Sequence, residues 1–420
     1  MPAKHHYRRD VLRGLSGAVG FVGGLGAASS VMAGCEADDV GAGDFDSAFE
    51  LARTPTFSSL ANAEAAIKAG ALVVDDFVDV LGHRSPGDGG GFRGTVLASS
   101  ASLLPGEGMI EPVEGQIDVR MFGATDTPGD STRTLQQALN WSSAQHQVVR
   151  LPQRFDVQEP LKVSQNAGLV GLGAGFRSGV RPVDCPAFLL DGELADGGWV
   201  FNILLRDFAI WGDRVGSRHP YAMKLHQCYR SAIENVTFRG YAVSGEQTAS
   251  VIAITGKQNH VIFDRVAILG QTTGSGGCGI RIANAPDAGH VHFMHLDVEK
   301  TTSGIMMESG AGAQFLNPYF ERLPTAIRIV PGIRSLVVQG GVFRVNNHNS
   351  PAIHFCEGTY NRGEHIAFMG IAFQRHKDNV VYPGIIGRNI IWDNSNPINL
   401  TGSDLSSITI SDALLEASNL

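Results

Sequence analysis

The chain has 420 residues, and its 52 glycines are about 12% of the total against a usual ~7%. Charged residues make up 18%, hydrophobic residues 43%, and the formal net charge is −8. An acidic balance argues against a polyanion binder, so no nucleic-acid partner is expected; the apolar content is too high for a disordered chain; and many glycines with few charges disfavour long exposed helices. What remains is a turn-rich β protein, whose length suits two or three domains or one elongated repeat domain.

Residues 1–35 read as a targeting segment. Lys4, Arg8, Arg9 and Arg13 form a basic start, and no further charge appears until Glu36. The stretch Gly14 to Cys35 is diluted by Gly14, Gly17, Gly20, Gly23, Gly24, Gly26 and Gly34, so it is a poor membrane span. Arg8-Arg9 with Leu12 resembles a twin-arginine export signal. Val31-Met32-Ala33-Gly34-Cys35 resembles a bacterial lipobox, which implies lipidation at Cys35, a membrane-tethered lipoprotein, and a location in the periplasm or at the cell surface. Cys185, Cys228, Cys278 and Cys356 form no CxxC pair and read as small buried thiols.

Residues 36–60, rich in Ala, Gly, Ser, Thr and Asp, read as a flexible tether. Residues 61–115 read as a small N-terminal β-rich unit. It has a short helix at Ala61 to Lys68, a strand at Val73 to Val80, and a turn-rich loop at Gly82 to Gly94. That loop lacks the Lys-Ser/Thr of a phosphate loop.

The most specific stretch follows. Phe122-Gly123-Ala124 leads to Asp130-Ser131-Thr132, an N-cap signal before a helix whose face carries Leu135, Ala138 and Leu139. Val148 to Gln153 then reads as a strand ending Leu-Pro, and Leu169 to Gly175 as a Gly-x-Gly turn. This order of parts resembles the N-terminal cap of the pectate-lyase-like superfamily, which includes polygalacturonases, rhamnogalacturonases and phage tailspikes. The resemblance implies an all-β fold, a right-handed parallel β-helix (solenoid) over 116–410 with a short N-terminal capping helix, and residues 411–420 as a tail. Tailspike relatives trimerise, so a trimer is implied by the resemblance alone.

Repeats support the same fold independently. A small residue, then Ile or Met, any residue and an apolar one recur at Ala222–Leu225, Val251–Ile254, Gly279–Ile282, Gly304–Met307, Ala326–Ile329 and Ala352–Phe355. Between them runs a second series starting at Asp207, Asn235, Arg265, His295, Asn317, Gly340 and Gly370. Two strand types alternating at a period in the twenties match a stacked-coil solenoid, in which each coil buries its inner face against its neighbours.

In the second series the alternation points Phe208 and Ile210, Val236 and Phe238, Leu296 and Val298, and Pro318 and Phe320 inward. The first, third and fifth positions then point outward. The fifth-position column is Trp211, Arg239, Leu269, Glu299, Glu321, Arg344 and Gln374; the third is Ala209, Thr237, Ala267, Asp297, Tyr319, Val342 and Ala372. Asp297, Glu299 and Glu321 are therefore expected on one outer face as catalytic carboxylates, one with a raised pKa. Tyr319, Arg344, His295 and Trp211 are the candidate substrate-binding residues. Glycoside cleavage needs such a pair, at ~5–5.5 Å for retention or ~6.5–9.5 Å for inversion. Glu299 with Glu321 suits the first class and the diagonal Asp297 with Glu321 the second. A solvated face with Arg344 neutralising Glu321, or a Ca2+ site, are the competing readings.

His290, His292 and His295 form an HxHxxH run, but no supporting ligand pattern follows, so no metal is expected there. No cofactor is expected, Ca2+ being the one exception. The Asn-Thr-Asp, Asp-Asp, Gly-His-Gly and Arg-Ile-Lys sets of polygalacturonases are missing from the repeats; Gly279–Ile282 matches the last only superficially. The reading is an exported, tethered protein with polysaccharide as partner, cleaving it as hydrolase or lyase. The alternative is a non-catalytic glycan-binding or adhesion protein, tailspike-like.

Overall fold

The computed structural model describes residues 54–375, apart from 101–103, 114–116, 126–128, 174–176, 195–197, 214–218, 242–248, 271–276, 284–290, 309–311, 346–351, 357–364 and 370, together with 381–382 and 409–410. Cys35, the export segment and His290 lie outside the described residues.

Helix α1, Leu60–Lys68, is capped by the Ser59 side chain, which accepts from Asn62 N at 3.3 Å. It lies beside a four-stranded sheet of Thr56–Phe57, Phe77–Val80, Phe92–Val96 and Ile110–Pro112. The first of these strands falls within the stretch read as a tether. The strand expected from Val73 starts only at Phe77, because Asp75 takes φ 71° and the Asp76 carboxylate accepts from Val73 N at 2.8 Å, making a turn. The loop expected over Gly82 to Gly94 likewise gives up Phe92 to Gly94 to a strand paired with Phe77–Val80. Its remainder is pinned by Asp88, whose carboxylate accepts four backbone N–H groups, from His83, Arg84, Ser85 and Gly90. Burial would raise the Asp88 pKa, but these donors more than offset it and hold the carboxyl below its usual range.

Helix α2, Thr132–Gln145, buries Leu135, Ala138, Leu139, Trp141 and Ser142 against the first coils. Ser131 sits at the N-cap position but makes no side-chain cap bond; Asp130 does the capping, accepting from Thr132 N at 2.9 Å. A polar side chain one residue early satisfies the same free N–H groups.

Beyond this cap the chain is a right-handed parallel β-helix. Its coils have three strand faces, one more than the repeats suggest. The first face stacks Leu161, Phe188, Met223, Ile252, Ile280, Ile305, Ile327 and Ile353 in register. The second stacks Phe155, Val180, Ile210, Phe238, Ile268, Val298, Phe320 and Phe343. The third stacks Val149, Leu169, Leu205, Ile233, Phe263, Phe293, Phe315, Val338 and Phe368. All these residues are buried, and they join the cap in one continuous apolar core. Phe263, Phe293 and Phe315 stack with centroids 4.7 and 4.6 Å apart, the coil spacing itself.

The first positions of the second series are corners, not outward strand positions. Asp207, Asn235, Arg265, His295, Asn317 and Gly340 all take φ between 50° and 69°. A left-handed residue turns the chain between faces, and Asn, Asp and Gly tolerate it best. Asn235 Nδ2 donates to Asp207 Oδ1 at 2.7 Å, tying one corner to the next.

Candidate functional site

The second face carries the carboxylate row in the expected register. Asp297 pairs with Ala267 on one side and Tyr319 on the other; Glu299 pairs with Leu269 and Glu321; Glu321 pairs with Arg344. Inward Val298 and Phe320 are fully buried and fix the strands, so the alternate residues must face out. Asp297 and Glu321 are one coil and two residues apart, which places their Cα atoms roughly 8 Å apart. Glu299 and Glu321 are direct neighbours at about 4.8 Å.

The three carboxylates differ in environment. Asp297 is half-buried, and its Oδ1 is buried without a hydrogen-bond partner. Burial, then the charges of Glu299 and Glu321, push its pKa up to about 7. For Glu321 burial also acts upward, but the Tyr319 hydroxyl donates to Oε2 at 2.8 Å and Arg344 Nη1 to Oε1 at 3.3 Å. With the Arg322 charge behind them, these donors hold Glu321 below its ordinary 4.5. The Tyr319 hydroxyl is pushed up to about 12, by burial first and then by its bond to Glu321. Glu299 has no hydrogen bond or ion pair among the described residues. The row thus joins a carboxyl that holds its proton up to about pH 7 to one that is ionised well below it, the pairing used by acid–base catalysts.

Not every expected residue belongs to this cluster. Trp211 shares the column but stands three coils from Glu299, roughly 14 Å at ~4.8 Å per coil. Its ring instead receives Arg154, whose guanidinium carbon is 5.3 Å from the centroid. His295 is on a corner; its Nδ1 is 3.2 Å from Asp264 Oδ1, away from the row. His292 is on the third face, with Nδ1 3.0 Å from Gln314 Oε1. Ala209 and Thr237, expected outward, are buried. A different group was missed in the sequence: Asp191, Glu193 and His226 place one ligand atom each within 4.8 Å of one another. Its signal was the pair Asp191 and His226, each one residue beyond the last apolar position of its first-face strand, Leu190 and Leu225.

No family model matches the chain, and no curated protein matches it. Solved structures do. The tailspike protein of Acinetobacter phage vB_ApiP_P1 is 12% identical, covering 85% of this chain and 72% of that one, with a TM-score of 0.48. The enzymatically active domain of tailspike protein 2 of bacteriophage CBA120 is 12% identical, covering 78% and 54%, with a TM-score of 0.48. The Streptococcus pneumoniae surface protein and adhesin PfbA is 11% identical, covering 61% and 86%, with a TM-score of 0.37. None of these similarities identifies the carboxylate row, whose chemistry follows from its own geometry.

Proposed function

We propose that this protein cleaves a polysaccharide laid along the second face, with Asp297 as general acid and Glu321 as base. The observation that carries the reading is the opposite shift of two carboxyls on adjacent coils. Asp297 protonates the glycosidic oxygen; Glu321, ionised and aimed by Tyr319 and Arg344, takes a proton from water on the far side of the sugar. Their diagonal spacing suits inversion, while Glu299 with Glu321 suits retention. In the diagonal arrangement burial raises the Asp297 pKa first, and the negative charge of Glu299 adds to it. Arg344 and Tyr319 line the row as sugar-contacting groups. The proposed location is outside the cytoplasm, tethered through Cys35, and it rests on the Arg8-Arg9 and Val31–Cys35 patterns. Cys35→Ser should release the protein from the membrane fraction.

The test is a screen of acidic and neutral polysaccharides for new reducing ends and for unsaturated, absorbing products. Reducing ends without absorbance mark a hydrolase, and absorbance marks a lyase. Turnover that survives both Glu299→Gln and Glu321→Gln overturns the assignment. One observation favours a second reading, glycan binding without cleavage: both Glu321 oxygens already have partners within the protein. Binding without products in the same screen would select it.

A further inference from the structure

The first face holds the cluster of Asp191, Glu193 and His226, away from the carboxylate row. Asp191 ends the strand Phe188–Asp191 and is the register partner of His226 on the next coil. Glu193 follows in the turn Gly192–Leu194, and its Oε1 lies 3.0 Å from His226 Nε2.

The imidazole sits in a cradle. His226 Nδ1 is 2.8 Å from Thr255 Oγ1 on the following coil, which orients the ring and turns Nε2 to the two carboxylates. A Cβ on Gly256 would lie 2.7 Å from His226 Cε1, so glycine there leaves room for the ring. A Cβ on Gly192 would lie 2.8 Å from Gln227 Cβ, so glycine there lets the turn close on the next coil and brings Glu193 to Nε2. Asp191 is oriented as well: Oδ1 accepts from Glu193 N at 3.0 Å and Oδ2 from Lys224 Nζ at 3.2 Å. Each of those oxygens keeps a further lone pair. A histidine bonded through its other nitrogen and a carboxylate held by outer donors are how metal ligands are commonly supported. Side-chain exposure is 10% for Asp191, 16% for His226 and 67% for Glu193, so Glu193 is the most open to water of the three.

We propose that Asp191, Glu193 and His226 form a divalent transition-metal site, best suited to Zn2+ completed by water. One imidazole and two carboxylates match the donor set of zinc, whereas Ca2+ and Mg2+ favour oxygen ligands throughout. The ion would tie two adjacent coils together. The inference is independent of the roles given to Asp297 and Glu321.

The experiment is a Zn2+ titration of the full-length chain, stripped by a chelator, against a chromophoric competitor. One ion per chain is expected. His226→Ala and Glu193→Gln should each weaken it by about tenfold or more, and Glu299→Gln should leave it unchanged. Co2+ in place of Zn2+ should give a visible absorption band that His226→Ala removes. Thermal unfolding without metal reports whether each variant folds, and exposed Glu193 supplies the variant least able to disturb the coil. Failure of the wild type to bind stoichiometrically, or unchanged affinity in Glu193→Gln, overturns the site. The cluster would then be a hydrogen bond between His226 and Glu193 beside the Lys224–Asp191 ion pair.

Discussion

Asp297 and Glu321 face the same way from adjacent coils, and their carboxyls are shifted in opposite directions. Tyr319, between Asp297 and Val342 in the ladder, donates to Glu321 and gives Asp297 nothing. One side chain therefore helps hold one carboxylate ionised, while burial and charge favour the protonated form of the other.

The pH profile of cleavage should be bell-shaped. Asp297 must be protonated, so activity falls as pH rises through about 7. Glu321 must be ionised, so the acid limb lies below 4.5. Initial rates of reducing-end release from pH 3 to 9 check both limbs. A flat profile through 7 removes Asp297 from the acid role.

Asp297→Asn should separate stability from activity. The carboxyl titrates at about 7 in the fold and near 3.8 when unfolded, so the fold binds this proton more tightly. That contribution is complete below pH 3.8 and is lost as pH rises through 7. At pH 8 the variant should therefore be more stable, by about 2 kcal/mol after a roughly twofold discount for partial exposure. At pH 3 the difference should vanish. Cleavage should be lost between the two limbs of the profile, where the wild type is active. Urea unfolding at the two pH values measures the first effect.

Tyr319→Phe should move the acid limb without abolishing cleavage. The hydroxyl bond favours ionised Glu321, so its removal raises that pKa toward 4.5 and shifts the limb to higher pH. Glu321→Gln should instead cost about 10²–10⁴-fold in turnover at every pH above that limb. An unmoved limb in Tyr319→Phe, with turnover intact, would leave the hydroxyl with no part in tuning the base.

The carboxylate row was legible because a parallel, in-register ladder converts sequence positions into neighbours. Once Val298 and Phe320 are placed inward, Asp297, Glu299 and Glu321 must share a face. The third face was hidden by its composition. Leu205, Ile233, Phe263 and Phe293 share no small-residue start, and two of its strands continue from first-face strands without a break, within Tyr221–Tyr241 and Ser250–Asp264. The corner role of His295 was hidden as well, because the corner keeps no residue type from coil to coil: Arg265 stands before it and Asn317 after it. The Asp191–His226 cluster needed the turn at Gly192, whose approach to Gln227 is a tertiary contact without local pattern.

Phe293→Ala should be the most damaging single core change on the third face. Phe293 lies between Phe263 and Phe315, with interplanar angles of 15° and 6°, and all three rings are fully buried. Coil spacing forces this face-to-face offset stack, so neighbouring rings cannot collapse into the gap without breaking the backbone ladder. Removal of the middle ring loses two stacking contacts and leaves a cavity, at a cost of about 3–5 kcal/mol. Phe320, by contrast, meets Phe343 edge-on at 89°, so Phe320→Leu should repack with a smaller loss. Denaturant midpoints of the two variants at equal slope give the comparison. A Phe293→Ala midpoint close to wild type would mean that the ladder hydrogen bonds, not the aromatic stack, set the strength of this face.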